Sequence, residues 1–236
     1  MRLLKKILKV LGGLLLVGLF ACGILYIIYH EPLPQGQTGP KADALAQKML
    51  EALNYEAYQR TRFLEWSFPN NTHYYQWDKE QNQVEVKWKE FTVNLDLNDV
   101  ALSEVGQKGT ELTANESREL IATARDYFNN DSFWLVAPFK VFDKGTERSI
   151  VKLDDGSEEL LVTYAQGGST PGDSYLWALN ANGFPESFRM WVQIIPIGGL
   201  KATWDDWKVT TSGTFLPTAH EIGPFTLSMG DVRAYN

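Results

Sequence analysis

The stretch YQWDKEQNQVEVKWKEFTVNLDL, Tyr75 to Leu97, decides the fold class. Phe91, Val93, Leu95 and Leu97 alternate with Thr92, Asn94 and Asp96, the period of two that a half-buried strand requires. Val84, Val86 and Trp88 alternate with Glu85 and Lys87 in the same way. The phase flips at Lys89-Glu90, so a turn or a bulge lies there, because a one-residue slip would send every apolar side chain to the wrong face. Tyr75 and Trp77 form a further alternating pair ahead of the polar turn DKEQN. Upstream, Arg60 to Phe68 reads as the first strand, and the even spacing of Trp66, Trp77 and Trp88 suits consecutive strands of a meander.

Elsewhere the period is that of a helix. From Lys41 to Tyr58, Ala42, Leu45, Ala46, Met49, Leu50, Leu53 and Ala57 share one stripe, which predicts a helix packing one face onto a sheet. Thr113 and Glu116 spell a capping box, which satisfies free N–H groups at a helix start. Leu120, Ile121, Ala124, Tyr127 and Phe128 continue that helix, which is expected to end near Asn129 to Asp131.

The rest reads as hairpins. Asp155-Gly156, Asn182-Gly183 and Ser212-Gly213 are tight-turn dipeptides. They join Arg148–Leu153 to Glu158–Tyr164, Ser174–Leu179 to Glu186–Ile195, and Lys201–Thr210 to Phe215–Ile222, with a last short strand at Phe225, Leu227 and Met229. About eleven strands joined by short connections predict an antiparallel sheet too wide to stay flat. The expected fold is α+β and mainly β, a strongly curved antiparallel sheet or incomplete barrel over residues 41–236 with helices on its concave side.

The N-terminus is separate. Residues 1–9 carry Arg2, Lys5, Lys6 and Lys9 and precede the uncharged run VLGGLLLVGLFACGILYIIY, residues 10–29. Twenty residues make a helix about 30 Å long, the thickness of a bilayer core. A single-pass anchor is expected, with the basic flank in the cytoplasm and the domain beyond the membrane. Cys22, the only cysteine, lies in LFAC, so a lipoprotein anchored there and a cleaved signal peptide are the alternatives. Export without disulfides suits the inner membrane and periplasm of a bacterium. EPLPQGQTG, Glu31 to Gly39 within a linker over residues 30–40, holds two prolines and two glycines and is expected to form neither helix nor strand. Past the basic flank, 18 basic side chains stand against 29 acidic ones, a formal charge of −11. Such a surface repels phosphate backbones and excludes nucleic acid as a partner.

The order of anchor, helix, long meander, mid-chain helix and terminal hairpins resembles the lipoprotein-carrier family of periplasmic carriers and outer-membrane receptors. DSFWLVAPFKVF, Asp131–Phe142, and YLWALNANGFPESFRMWV, Tyr175–Val192, are similar to that family's middle and hairpin segments. The resemblance implies a half-open barrel that holds acyl chains under a helical lid, and a lipid or lipoprotein as ligand.

The chain has little that points to catalysis. Its histidines, His30, His73 and His220, lie on separate segments, with no metal-ligand spacing. The glycine pairs at 167–168 and 198–199 lack a phosphate-loop pattern. Asp205 and Asp206, adjacent on a strand, point to opposite faces unless a bulge intervenes, and Trp204 and Trp207 can share a side only with that bulge. No cofactor, metal or catalytic residue is expected. The candidate contact residues are Trp134, Trp191, Ile194, Ile195 and Ile197. Phe188, Met190, Val192 and Ile194 alternate onto one face, and Arg189, Trp191, Gln193 and Ile195 onto the other. Pro196 stops the strand, and Gly198-Gly199 lets the chain reverse. The segment between is apolar for a loop. It is either core tucked against the helices or the rim of a surface that meets a lipid or an envelope protein.

Overall fold

A computed structural model of the chain describes residues 2–106, 112–166 and 171–236, and the side chains of residues 3–10, Leu19, Ala21, Cys22 and Leu25, with that of Arg2, lie outside the description. The glycine pair at 167–168 and the Cys22 side chain are therefore outside it too.

Helix α1 covers Arg2–Tyr29. Among the described residues no helix is long and apolar enough to cross a membrane, and the undescribed side chains interrupt the run from Val10 to Tyr29. Then follow β1 (Gln37–Thr38), α2 (Pro40–Ala52), α3 (Tyr55–Arg60), β2 (Phe63–Phe68), β3 (His73–Asp78), β4 (Gln83–Trp88), β5 (Phe91–Asp96) and β6 (Glu104–Gly106). The long helix α4 (Ala114–Val136) leads to β7 (Thr146–Lys152), β8 (Glu158–Tyr164), β9 (Ser174–Leu179), β10 (Pro185–Trp191) and β11 (Leu200–Thr203). The chain closes with β12 (Asp206–Val209), β13 (Phe215–Ile222), β14 (Phe225–Ser228) and β15 (Arg233–Tyr235).

The fold is α+β, with 15 described strands in three antiparallel sheets and no closed barrel. One sheet runs β15-β2-β3-β4-β5-β6, a second β1-β7-β8-β9-β10-β11, and the third β12-β13-β14. The meander is present strand for strand, with Trp66 opposite Tyr75, Trp77 opposite Val84 and Trp88 opposite Phe91. The phase flip at Lys89-Glu90 is a turn, with Lys89 at φ 49. All three glycine hairpins form, and they share one construction. Gly156, Gly183 and Gly213 alone take positive φ, and each donates its N–H to the carbonyl three residues back, at Leu153, Asn180 and Thr210. This is the three-residue hairpin with a left-handed glycine, not the two-residue turn with both central residues left-handed.

Four expectations are corrected. The single sheet of about eleven strands is three sheets, because the strand expected over Lys201–Thr210 divides between two of them: β11 pairs with β10 and β12 with β13. The sheets stay stitched at these corners. The Trp204 N–H donates to the Glu186 carbonyl at 2.7 Å and the Glu221 N–H to Thr203 Oγ1 at 2.9 Å, while the Ser67 N–H reaches the Met229 carbonyl at 3.0 Å. Second, the helix expected over Lys41–Tyr58 breaks at Leu53-Asn54, where Asn54 is left-handed at φ 57 and donates through Nδ2 to the Gly213 carbonyl at 2.9 Å. The first strand starts at Phe63 because α3 takes the residues before it. Third, α4 does not stop at Asn129–Asp131 but continues to Val136, because Asp131 is buried and has side-chain partners waiting on β3. The capping box at Thr113 and Glu116 is present as read. Fourth, the linker is not free of structure: Gln37 and Thr38 pair with Ile150 and Ser149 on β7.

The core lies between the sheets and two helices. Helix α2 buries Ala42, Ala46, Met49 and Leu50, and α4 buries Ala124, Phe128, Asp131 and Leu135 along one stripe. The inward faces of the strands meet them with Leu64, Trp66, Val86, Leu95, Leu160, Trp177 and Phe188.

Candidate interaction surfaces

The candidate residues fall on opposite sides of one sheet. Trp134, from the last turn of α4, lies on the inner face against Phe68 at 5.8 Å, Phe188 at 5.6 Å and His220 at 5.3 Å between ring centroids. Trp191, at the end of β10, lies on the other side, and Ile194, Ile195 and Ile197 follow it in the loop after the strand. Trp191 belongs to a smaller apolar cluster with Val151, Leu161 and Leu176 on the other side of the sheet.

The inner face is paved with rings. Phe128 packs against Trp66, Trp77 and Tyr75, the closest approach being edge to face with Trp77 at 5.3 Å. Tyr127 meets Trp88 edge to face at 5.7 Å, and Phe133 meets Tyr175 at 4.6 Å. Further along, Trp177 stands edge to face against both Phe188 and Trp204. Among the described residues the buried indole N–H groups of Trp66, Trp77, Trp177 and Trp204 have no hydrogen-bond partner.

Two polar groups are set into this face. Asp131 accepts from Tyr75 Oη at 2.5 Å and pairs with His73 Nδ1 at 2.7 Å, while Asn130 Nδ2 donates to its other oxygen at 2.8 Å. Burial pushes the Tyr75 hydroxyl far up, with the Asp131 charge and hydrogen bond adding to it, so the phenol stays a donor. No sequence motif marks this cluster, but Asp131 continues the apolar stripe of Ala124 and Phe128, and that position was the available signal. His220 is fully buried between backbone carbonyls, Nδ1 at 2.8 Å from the Thr203 oxygen and Nε2 at 2.8 Å from the Trp134 oxygen. The ring sits between the end of α4 and the corner between two sheets, and in its neutral form donates to one of the two carbonyls. Burial holds its imidazole below the ordinary value, against the pull of the two carbonyls and of Asp205 and Asp206. The neutral ring is thus favoured in the fold, and protons bind preferentially to the unfolded chain. Stability should fall as pH drops below about 6.5, the unfolded imidazole's value. Urea unfolding at neutral and mildly acidic pH checks this: His220→Gln should lose part of the wild-type dependence, and an equal dependence in both would show that His220 does not carry it.

Asp205 and Asp206 are both exposed, and the register shift between Asp206 and Trp207 is the bulge that lets the tryptophans share a side. Trp204 is buried, with the Trp207 ring 6.0 Å away, and Thr218 Oγ1 donates to Asp206. Among the described residues no three His, Cys, Asp or Glu side chains are grouped to hold a metal.

The loop after β10 is built around the start of the linker. The Glu31 N–H donates to the Gly198 carbonyl at 2.9 Å, the Gly198 N–H to His30 Nδ1 at 3.0 Å, and Trp191 Nε1 to the Glu31 carbonyl at 2.7 Å. Arg189 pairs with both Glu31 and Glu159. The glycine pair does more than turn the chain. A Cβ on Gly198 would lie 2.4 Å from Trp191 Cδ1 and 2.8 Å from the Glu31 carbonyl oxygen, and one on Gly199 2.7 Å from Glu31 Cβ. Trp191 and Glu31 lie where those side chains would be.

Within this loop the isoleucines divide. The strand ends at Trp191, and the Ile195 N–H closes a turn onto the Val192 carbonyl at 3.1 Å. The expected alternation therefore holds through Val192 and fails at Ile194, which is 72% exposed. Ile195 is half-buried against the core, and Ile197 is half-buried.

A polar groove of about 410 Å³ opens on the meander sheet, lined by Glu65, Tyr74, Gln76, Glu85, Lys87 and Arg233 among others. Arg233 pairs with Glu65 at 2.5 Å, and Tyr74 is 50% exposed. No protein-family model matches the chain, and no curated protein matches it either.

Proposed function

We propose that this chain is a membrane-tethered protein of the bacterial envelope, a half-barrel filled by its own side chains that acts through its outer surface on a protein partner. The observation that carries this is the packing of Phe128, Phe133 and Trp134 from α4 onto the ring-lined inner face. In the lipoprotein-carrier family, which the order of elements resembles, that place implies an acyl cavity. A small-molecule site there needs roughly 300 Å³ or more. The tether is α1, along which Leu14, Leu15, Leu16, Val17, Phe20, Ile27 and Ile28 are exposed among the described residues. The polar groove with Tyr74 fits a partner contact, since interfaces combine an aromatic anchor with a charged rim. An acyl ligand beneath α4 is the alternative; the apolar character of the same face favours it, and it requires α4 to swing out.

A photoreactive amino acid placed at Tyr74 or at Trp134, in the full chain in its host membrane, tests both. The expected result is an adduct of discrete protein mass from Tyr74 and no lipid adduct from Trp134. A lipid adduct at Trp134 would establish the acyl alternative, and the lack of a protein adduct at Tyr74 would remove the partner from this groove.

A further inference from the structure

We infer that the loop from Ile194 to Ile197 inserts into the bilayer interface beside the tether, so that the domain stands on the membrane in one fixed orientation. This rests on the tether proposed above. The observation beneath it is the clasp on His30 and Glu31, the two residues that follow α1. A chain leaving the bilayer at Tyr29 is seized at once by Gly198 and Trp191, so the loop carrying them stands at the exit point. A free linker would let the domain tumble; this one is held at Glu31 on β10 and at Gln37 on β7.

The chemistry of the loop matches that position. From Met190 to Leu200 there is no charged side chain, although the exported part carries −11 overall. Ile194 is 72% exposed, Pro196 is exposed and Leu33, in the clasped linker, is 48% exposed. Trp191, with its indole N–H fixed on a carbonyl and its ring at the loop, is the residue type that gathers at membrane interfaces. The carboxylate of Glu31, at the exit, shares the Arg189 guanidinium with Glu159. An acidic protein has little to gain from the charge of anionic headgroups, so the contact is apolar, with the acyl boundary of the bilayer.

The experiment uses the full-length chain carrying Cys22→Ser, in phosphatidylcholine vesicles with nitroxide-labelled acyl chains. An environment-sensitive fluorophore is attached in turn to Leu15→Cys in α1, Ile194→Cys in the loop and Asn182→Cys at the opposite end of β10. The expected result is strong quenching at position 15 and quenching at position 194 several-fold above that at position 182. Strong quenching at 15 with no difference between 194 and 182 would overturn the inference and leave the tether standing. No quenching at 15 would remove the tether, and the inference with it.

Discussion

Trp204→Ala should destabilise the domain by about 3–5 kcal/mol, the cost of removing a buried aromatic ring without collapse of the space. Trp204 is fully buried at the corner where the chain passes from one sheet to the next. Its ring centroid lies 4.4 Å from His220, 5.0 Å from Trp177 and 5.6 Å from Phe188. Those neighbours come from β13, β9 and β10, each held by its own ladder, so they cannot close on the void. Against a typical total of about 5–15 kcal/mol, the loss leaves a marginal fold. Trp204→Phe should cost far less, because the indole N–H has no hydrogen-bond partner to lose. Urea unfolding followed by far-UV circular dichroism measures both, and an unchanged midpoint for Trp204→Ala would contradict the packed corner.

Asp131→Ala should also be strongly destabilising, for a different reason: each buried partner left without its acceptor costs about 1–3 kcal/mol. Tyr75 would lose its acceptor and His73 the partner of its Nδ1, in a site where the Asp131 side chain is 3% exposed. Asp131→Asn keeps the shape and an oxygen, and should recover part of the loss. Because Tyr75 and Asp131 touch, Tyr75→Phe combined with Asp131→Ala should cost less than the sum of the two. Strict additivity would show that the two side chains do not act as a unit.

Much of the fold was legible because its cause is local. Alternation between Phe91 and Leu97 forms a strand wherever one face is covered, and Gly156, Gly183 and Gly213 serve turns that the neighbouring residues alone define. The capping box joins Thr113 to Glu116 within one turn of helix. What was not legible has its cause elsewhere in the chain. Asp131 extends α4 because Tyr75 and His73 wait on β3, far back in sequence. Asn54 breaks the first helix where the Gly213 hairpin arrives to accept its side chain. Gly198 and Gly199 read as a simple reversal, yet Trp191 and the Glu31 carbonyl crowd the first and the Glu31 side chain crowds the second. Of the candidate residues, Ile194 is exposed, Ile195 packs against the main core, and Trp191 joins the smaller cluster on the other side of the sheet. Trp134 belongs to the inner packing, since a half-buried aromatic looks the same in a sequence whether it meets a ligand or Phe188.

The most direct test of a filled interior is native mass spectrometry of the full chain, extracted from its membrane in mild detergent and freed of detergent in the gas phase. The account predicts a chain that keeps the α1 segment, with no lipid surviving detergent removal. A lipid or acylated peptide retained at one copy per chain after detergent has been stripped away would contradict it, because only an enclosed cavity could hold such a ligand.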